Sequence, residues 1–151
     1  MRYTFARFGW VGTLRGAALA LVALVLPAAL TGCSIDSVIW GPDGAGVIQT
    51  TEELVDAMAE GNPTDLICAD SAAELGEPSD WQGLSAGEPE HFFADYWDEQ
   101  VPLDPEWNIN LEGLPDGLTP GSTFPGDVFY RETDEGLCVI DIAWSTLVAE
   151  G

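Results

Sequence analysis

The acids of this chain begin abruptly. All 26 aspartates and glutamates lie at or beyond Asp36, whereas three of the four basic residues, Arg2, Arg7 and Arg15, lie before it. From residue 33 onward one cation, Arg131, faces all 26 acids, a formal charge of −25, and there is no lysine. A split this sharp marks two segments with different fates. Only the second has the composition of a folded domain. The acids of that segment read first as a means of solubility, or as adaptation to salty surroundings.

The first segment reads as a secretory signal. Arg2, Arg7 and Arg15 form a basic start, and Gly16 to Leu30 is an apolar run broken only by Pro27. A membrane-spanning helix needs about 20 apolar residues, more than this run supplies. Its end, Leu30-Thr31-Gly32-Cys33, resembles the lipobox of bacterial lipoproteins: leucine, two small residues, then cysteine. The resemblance implies a diacylglyceryl group on the Cys33 sulfur, cleavage just before it, and residues 1–32 as signal peptide. One acyl chain holds a protein to a bilayer only marginally and two hold it stably. The expected location is therefore the outer, extracytoplasmic face of the cell membrane, with the chain anchored there and not spanning. Residues 33–49, beginning with the lipidated cysteine, read as a tether, and residues 50–151 as the domain.

Lipid on Cys33 would leave Cys68 and Cys138, an even pair in an oxidising compartment. They are expected to form a disulfide closing a loop of about 71 residues, worth roughly 4 kcal/mol in the chain-entropy model. The charge excludes nucleic acid as a partner, since phosphate binding needs Lys and Arg. It also disfavours contact between the domain and anionic head groups.

Within the exported part, Ser37–Trp40 reads as a short strand in the tether, and the turn-rich run Gly41–Gly46 follows. Thr50-Thr51-Glu52-Glu53 has the form of a capping box opening a helix at about 51–60, with Leu54, Val55 and Met58 on one face and Gly61 just past its end. A second helix is expected over about 66–75, a loop over 76–87 with Trp81 and Leu84 turned inward, and a third helix over about 89–99. Pro89 suits the first turn of that third helix, and Phe92, Phe93, Tyr96 and Trp97 make an aromatic stripe facing the core. The period then changes. Trp107, Ile109 and Leu111 alternate with Asn108, Asn110 and Glu112, a half-buried strand. After a loop over 113–126, strands follow at 127–133 and 137–148 around an Asp134-Glu135-Gly136 turn. Helices first and a three-stranded antiparallel sheet last is an α+β arrangement. Its order resembles NTF2-like folds over residues 50–148, which implies helices packed into a curved sheet around a cone-shaped cavity. A cystatin-like fold, or a private α+β one, fits the same string.

No catalytic or cofactor signature stands out. Gly83-Leu84-Ser85-Ala86-Gly87 matches the G-x-S-x-G elbow, but that motif needs a strand before the serine, a helix at it, and a distant histidine. The single histidine, His91, lies six residues on. One histidine and two paired cysteines do not make a zinc site, and no stretch has EF-hand spacing. Asp95, Asp98, Glu99 and Asp104 are the densest acids and read as a solvated face. Arg131 reads as an internal ion-pair partner. The expected function is a non-enzymatic binding or interaction module of the cell envelope, with an envelope protein or a small molecule as its ligand and no cofactor or metal. The alternatives are an acidic structural coat, or a carboxylate-based hydrolase, which would need an acid of raised pKa in a pocket.

Overall fold

The chain divides into residues 1–31 and 32–151. The computed structural model describes residues 35–62 and 65–149, so the segment read as a signal peptide, and Cys33, lie outside the described residues. The described part is α+β. A short helix α1 (Ile35–Ile39) leads into a long helix α2 (Gly41–Ala59). Four antiparallel strands follow, β1 (Ser85–His91), β2 (Trp107–Glu112), β3 (Thr123–Thr133) and β4 (Gly136–Thr146), in sheet order β1-β2-β3-β4.

α2 starts at Gly41, ten residues before the helix start at 51 read from sequence. Pro42 is tolerated because it sits in the first turn, where its missing N–H has no intrahelical partner to lose. Gly44 and Gly46 each cost about 1 kcal/mol of helix propensity. At Gly44 the cost has a reason, since a Cβ would lie 2.8 Å from Cβ of Trp40. Thr50, read as the capping residue, lies inside the helix, and Thr51 beside it has a packing role. Its hydroxyl donates to the Val47 carbonyl one turn back (2.8 Å) and meets the Tyr130 hydroxyl of β3 at 2.9 Å, both residues being fully buried. The helix ends as expected at Gly61 (φ 70°), with the Gly61 amide on the Met58 carbonyl and the Asn62 amide on that of Ala57. The expected strand at Ser37–Trp40 is instead the end of α1 and the turn into α2.

α2 lays Val47, Leu54, Val55 and Met58 against Trp107, Ile109 and Leu111 of β2, Val128 and Tyr130 of β3, and Val139 and Ile142 of β4. Trp81 and Leu84 close this core from the connecting segment, as their sequence context suggested. Each fully buried large side chain contributes about 2–3 kcal/mol. The β2 alternation is as read. In β4 it breaks: the register shifts opposite Phe129/Tyr130, so Val139 and Ile142 share the helix face while Ile140 turns to the other side. A bulge of this kind cannot be seen in a strict two-residue period.

Two expected helices are absent. Residues 66–72 lie beside β4 as a single bridge at Ile67 followed by a turn, with the Val139 amide on the Leu66 carbonyl, the Cys68 amide on the Val139 carbonyl and the Ala72 amide on the Ile140 carbonyl. Those backbone groups serve the sheet edge, and a helix would withdraw them. Cys68 and Cys138 are disulfide-bonded and fasten this strap to the strand. The second correction is β1, which occupies part of the expected loop and the start of the expected third helix. Pro89 is buried in an edge strand, where proline is compatible with a sheet. The remaining β1 edge is partly covered by α2, whose Glu52 carboxylate accepts the Ala86 amide at 2.7 Å. The sheet therefore has four strands where three were expected, and β3 begins four residues early, at Thr123.

The buried Thr51–Tyr130 pair yields a prediction. Thr51→Val strands the Tyr130 hydroxyl in the core and should cost about 1–3 kcal/mol. Tyr130→Phe leaves Thr51 donating to Val47 and should cost about 1 kcal/mol. The double variant should fall short of the sum of the two, as read by urea denaturation.

Candidate functional site

The two faces of the sheet differ. The outer face, away from α2, carries Glu88 and Glu90 of β1, Asn108 and Asn110 of β2, and Asp127 and Phe129 of β3. Register places Glu90 opposite Asn108 and Asn108 opposite Phe129, and Asn110 opposite Asp127. A bulge between Ala86 and Pro89 brings the Glu88 amide onto the Asn110 side-chain oxygen at 2.9 Å. This row also explains Gly87, because a Cβ there would lie 2.6 Å from the Asn110 amide group.

The segment after β1 folds back over this face. Phe92 and Trp97 pack edge-on against Phe129, with ring centroids 6.2 and 4.9 Å apart. Ile140, Cys68 and Cys138 complete a second small core there. Gln100, buried, donates to the Asp141 carboxylate at 3.0 Å. The expected aromatic stripe is thus split. Phe92 and Trp97 pack inward, whereas Phe93 and Tyr96 face solvent and contact each other. The stripe's spacing matched a helix, yet its residues lie on a turn-rich segment, where spacing says little about shared direction.

Where this segment stops short of the sheet it leaves a cleft of about 290 Å³, lined by Glu88, Glu90, Tyr96, Trp97, Asn108, Asn110 and Asp127. Three carboxylates, two amides and two aromatic rings meet in it. Asp127 is half-buried, and its pKa is raised to about 6, first by burial and then by the nearby Glu90 charge. The cleft suits a small cationic group. Carboxylates supply the counter-charge and the rings supply apolar and cation–π contact. A carboxyl that titrates near 6 exchanges its proton closer to neutral pH than an ordinary aspartate, which general acid–base chemistry requires. Two of its acids, Glu88 and Glu90, belong to a strand whose residues read as loop and helix, and only the sheet register brings Asp127 of β3 beside them.

Other hollows carry less chemistry. A groove of about 820 Å³ follows the strap and the β3–β4 turn. Its one cation, Arg131, is engaged: its guanidinium pairs with Asp70 at 2.9 Å, also donates to the Leu103 carbonyl, and holds the Asp70 carboxyl below its ordinary pKa. This is the ion-pair role read for Arg131 from sequence. A smaller hollow of about 270 Å³ lies between the start of α2 and the β3–β4 turn; the Glu132 carboxylate on its wall already accepts the Trp107 indole N–H.

The remaining sequence candidates are not brought together. Ser85 and His91 are the first and last residues of the same strand, roughly 20 Å apart at strand rise, so they cannot share a proton. His91 stacks on Trp107 with centroids 3.8 Å apart. Among the described residues no three His, Cys, Asp or Glu side chains are grouped so as to hold a metal ion, and no helix is long and apolar enough to cross a membrane.

Comparison with protein-family models, curated proteins and solved structures gives no match for this chain.

Asp127 makes stability depend on pH. Its folded pKa lies above the unfolded value, so its contribution is fully present below about pH 4 and is lost as pH rises through about 6. Discounted for partial solvent exposure, the cost of its charge at neutral pH is about 1 kcal/mol. Asp127→Asn should therefore melt about 4 °C above the parent at pH 7.5 and level with it at pH 4. Equal melting temperatures at both pH values would refute the assignment.

Proposed function

We propose that this protein is an exported bacterial lipoprotein, cleaved before Cys33 and held by lipid on the outer face of the cell membrane. Its domain acts there as a non-enzymatic binding module. The observation that carries the reading is the run Leu30-Thr31-Gly32-Cys33 at the end of a basic, apolar, acid-free leader. One feature of the domain supports it: the Cys68–Cys138 disulfide suits an oxidising compartment.

The ligand surface is the cleft between β1, β2, β3 and the segment carrying Tyr96 and Trp97. Its volume is at the small end for ligand sites, which favours a small organic cation over a polymer. Of the fold likenesses, the cystatin-like one is better supported than the NTF2-like one. The space between α2 and the sheet is filled by fully buried Leu54, Ile109, Val128 and Tyr130, where the NTF2-like likeness would imply a cone-shaped cavity.

One observation favours a second reading. Asp127 is an acid of raised pKa in a cleft beside Glu88 and Glu90, the feature that a carboxylate-based hydrolase would require.

Cys33→Ala should move the protein from the membrane fraction to the unprocessed or soluble pool. Unchanged processing and retention would refute the anchor. For the cleft, calorimetric titration with spermidine should show binding that weakens at least five-fold in the Glu90→Gln/Tyr96→Ala variant. Equal binding by both proteins would remove the cleft as a cation site. Glycoside turnover that Asp127→Asn abolishes would favour the hydrolase.

A further inference from the structure

Helix α1 is built inside out. Ile35, Val38 and Ile39 fall at i, i+3 and i+4 and so share one face. That face points to solvent, with exposures of 73, 77 and 61 %, and no residue of α1 is buried. The polar residues Asp36 and Ser37 are half-buried and share a hollow with Gln49 and Glu52 of α2. Trp40, just past the helix, is also partly exposed. A surface helix of a water-facing domain has the opposite arrangement.

The position of α1 indicates what covers this face. Only Ser34 separates Cys33 from Ile35, so the two Cα atoms are at most about 7 Å apart. On the lipoprotein reading, on which this inference rests, acyl chains leave the protein at Cys33 and α1 starts at head-group depth. We propose that Ile35, Val38, Ile39 and Trp40 seat in the lipid surface beside the anchor, with the ring of Trp40 at the head-group boundary, where tryptophan is favoured. The face is neutral and apolar, while the domain behind it is strongly acidic and repelled by anionic head groups. Contact therefore depends on apolar insertion, and the surface it fits is a zwitterionic one. Seated in this way, α1 fixes one end of α2 at the membrane and sets how the domain stands on it. The lipid then acts with a second, non-covalent contact.

The test uses the processed protein purified from its own membranes, with lipid on Cys33 verified by intact mass, and placed in phosphatidylcholine vesicles. The fluorescence of Trp40 is isolated as the difference between the parent and Trp40→Phe. Quenching by a lipid carrying a nitroxide near its head group is compared with quenching by aqueous iodide. The inference expects the Trp40 component to be quenched at least three-fold more strongly by the lipid probe. In the Val38→Asp/Ile39→Asp variant, still lipidated and vesicle-bound, that preference should reverse. Lipidated protein whose Trp40 is open to iodide would overturn the inference and leave the anchor standing. Trp40 shielded from both quenchers would place a second copy of the chain on this face, and would also overturn it. A Cys33 without lipid would overturn the anchor and the inference together.

Discussion

The disulfide between Cys68 and Cys138 is the contact on which the irregular half of this domain depends. Between α2 and β1 the chain has no long regular element to hold it. It is kept in place by the strap at 66–72, which lies along β4 through backbone hydrogen bonds and is locked there by the bond to Cys138. Most proteins of this size can also draw on ion pairs. This one has one cation from residue 33 onward, and Arg131 is spent beside the same strap, on Asp70 and Leu103. The covalent link and the ion pair thus hold the same segment to the C-terminal hairpin. Once the strap is fixed, it caps one edge of the sheet. The chain beyond it can then deliver Trp81, whose indole donates to the Leu75 carbonyl, and Trp144 of β4 can reach the Glu74 carbonyl.

The acidity of the domain and its two-sided sheet are connected. One side is a conventional core under α2. The other is only partly covered, by Phe92, Trp97 and Leu103 over Phe129 and Ile140. Where that cover ends, Asp127 and its neighbours meet partial burial, and the pKa of Asp127 rises for that reason. The cleft is therefore a consequence of the architecture. Its carboxylates are the part of a generally acidic surface that the fold draws together beside Trp97 and the exposed Tyr96.

Parts of this were legible in the residues and parts were not, and the division is physical. The β2 alternation, the β3–β4 turn, the Gly61 helix end, the inward Trp81 and the cysteine pairing each rest on a local signal that tertiary structure had no reason to override. The failures share one cause. Gly41–Gly46 reads as a turn, but packing of Gly44 beneath Trp40 and burial of Val47 extend the helix through it. Ser85–His91 has neither β-branched residues nor clear alternation, and it becomes a strand because β2 offers an edge and Asn110 accepts the bulge amide. Residues 66–75 have a plausible helical composition, but β4 claims their backbone. The cleft was hidden for the same reason: its members come from β1, β2, β3 and a connecting segment, and only the sheet register assembles them. The resemblance of Leu30-Thr31-Gly32-Cys33 to a lipobox is of another kind, a linear motif that lies outside the described residues.

The proposed mature protein begins at a lipid-bearing Cys33, and one disulfide fastens its irregular half. The most direct measurement is the intact mass of the protein taken from its own membranes, after thiols are blocked without reduction. The expected species is residues 33–151 carrying at least a diacylglyceryl group, with no blocked thiol and a gain of two protons on reduction. A chain that retains residues 1–32, lacks lipid on Cys33, or carries blocking groups on Cys68 and Cys138 would contradict it.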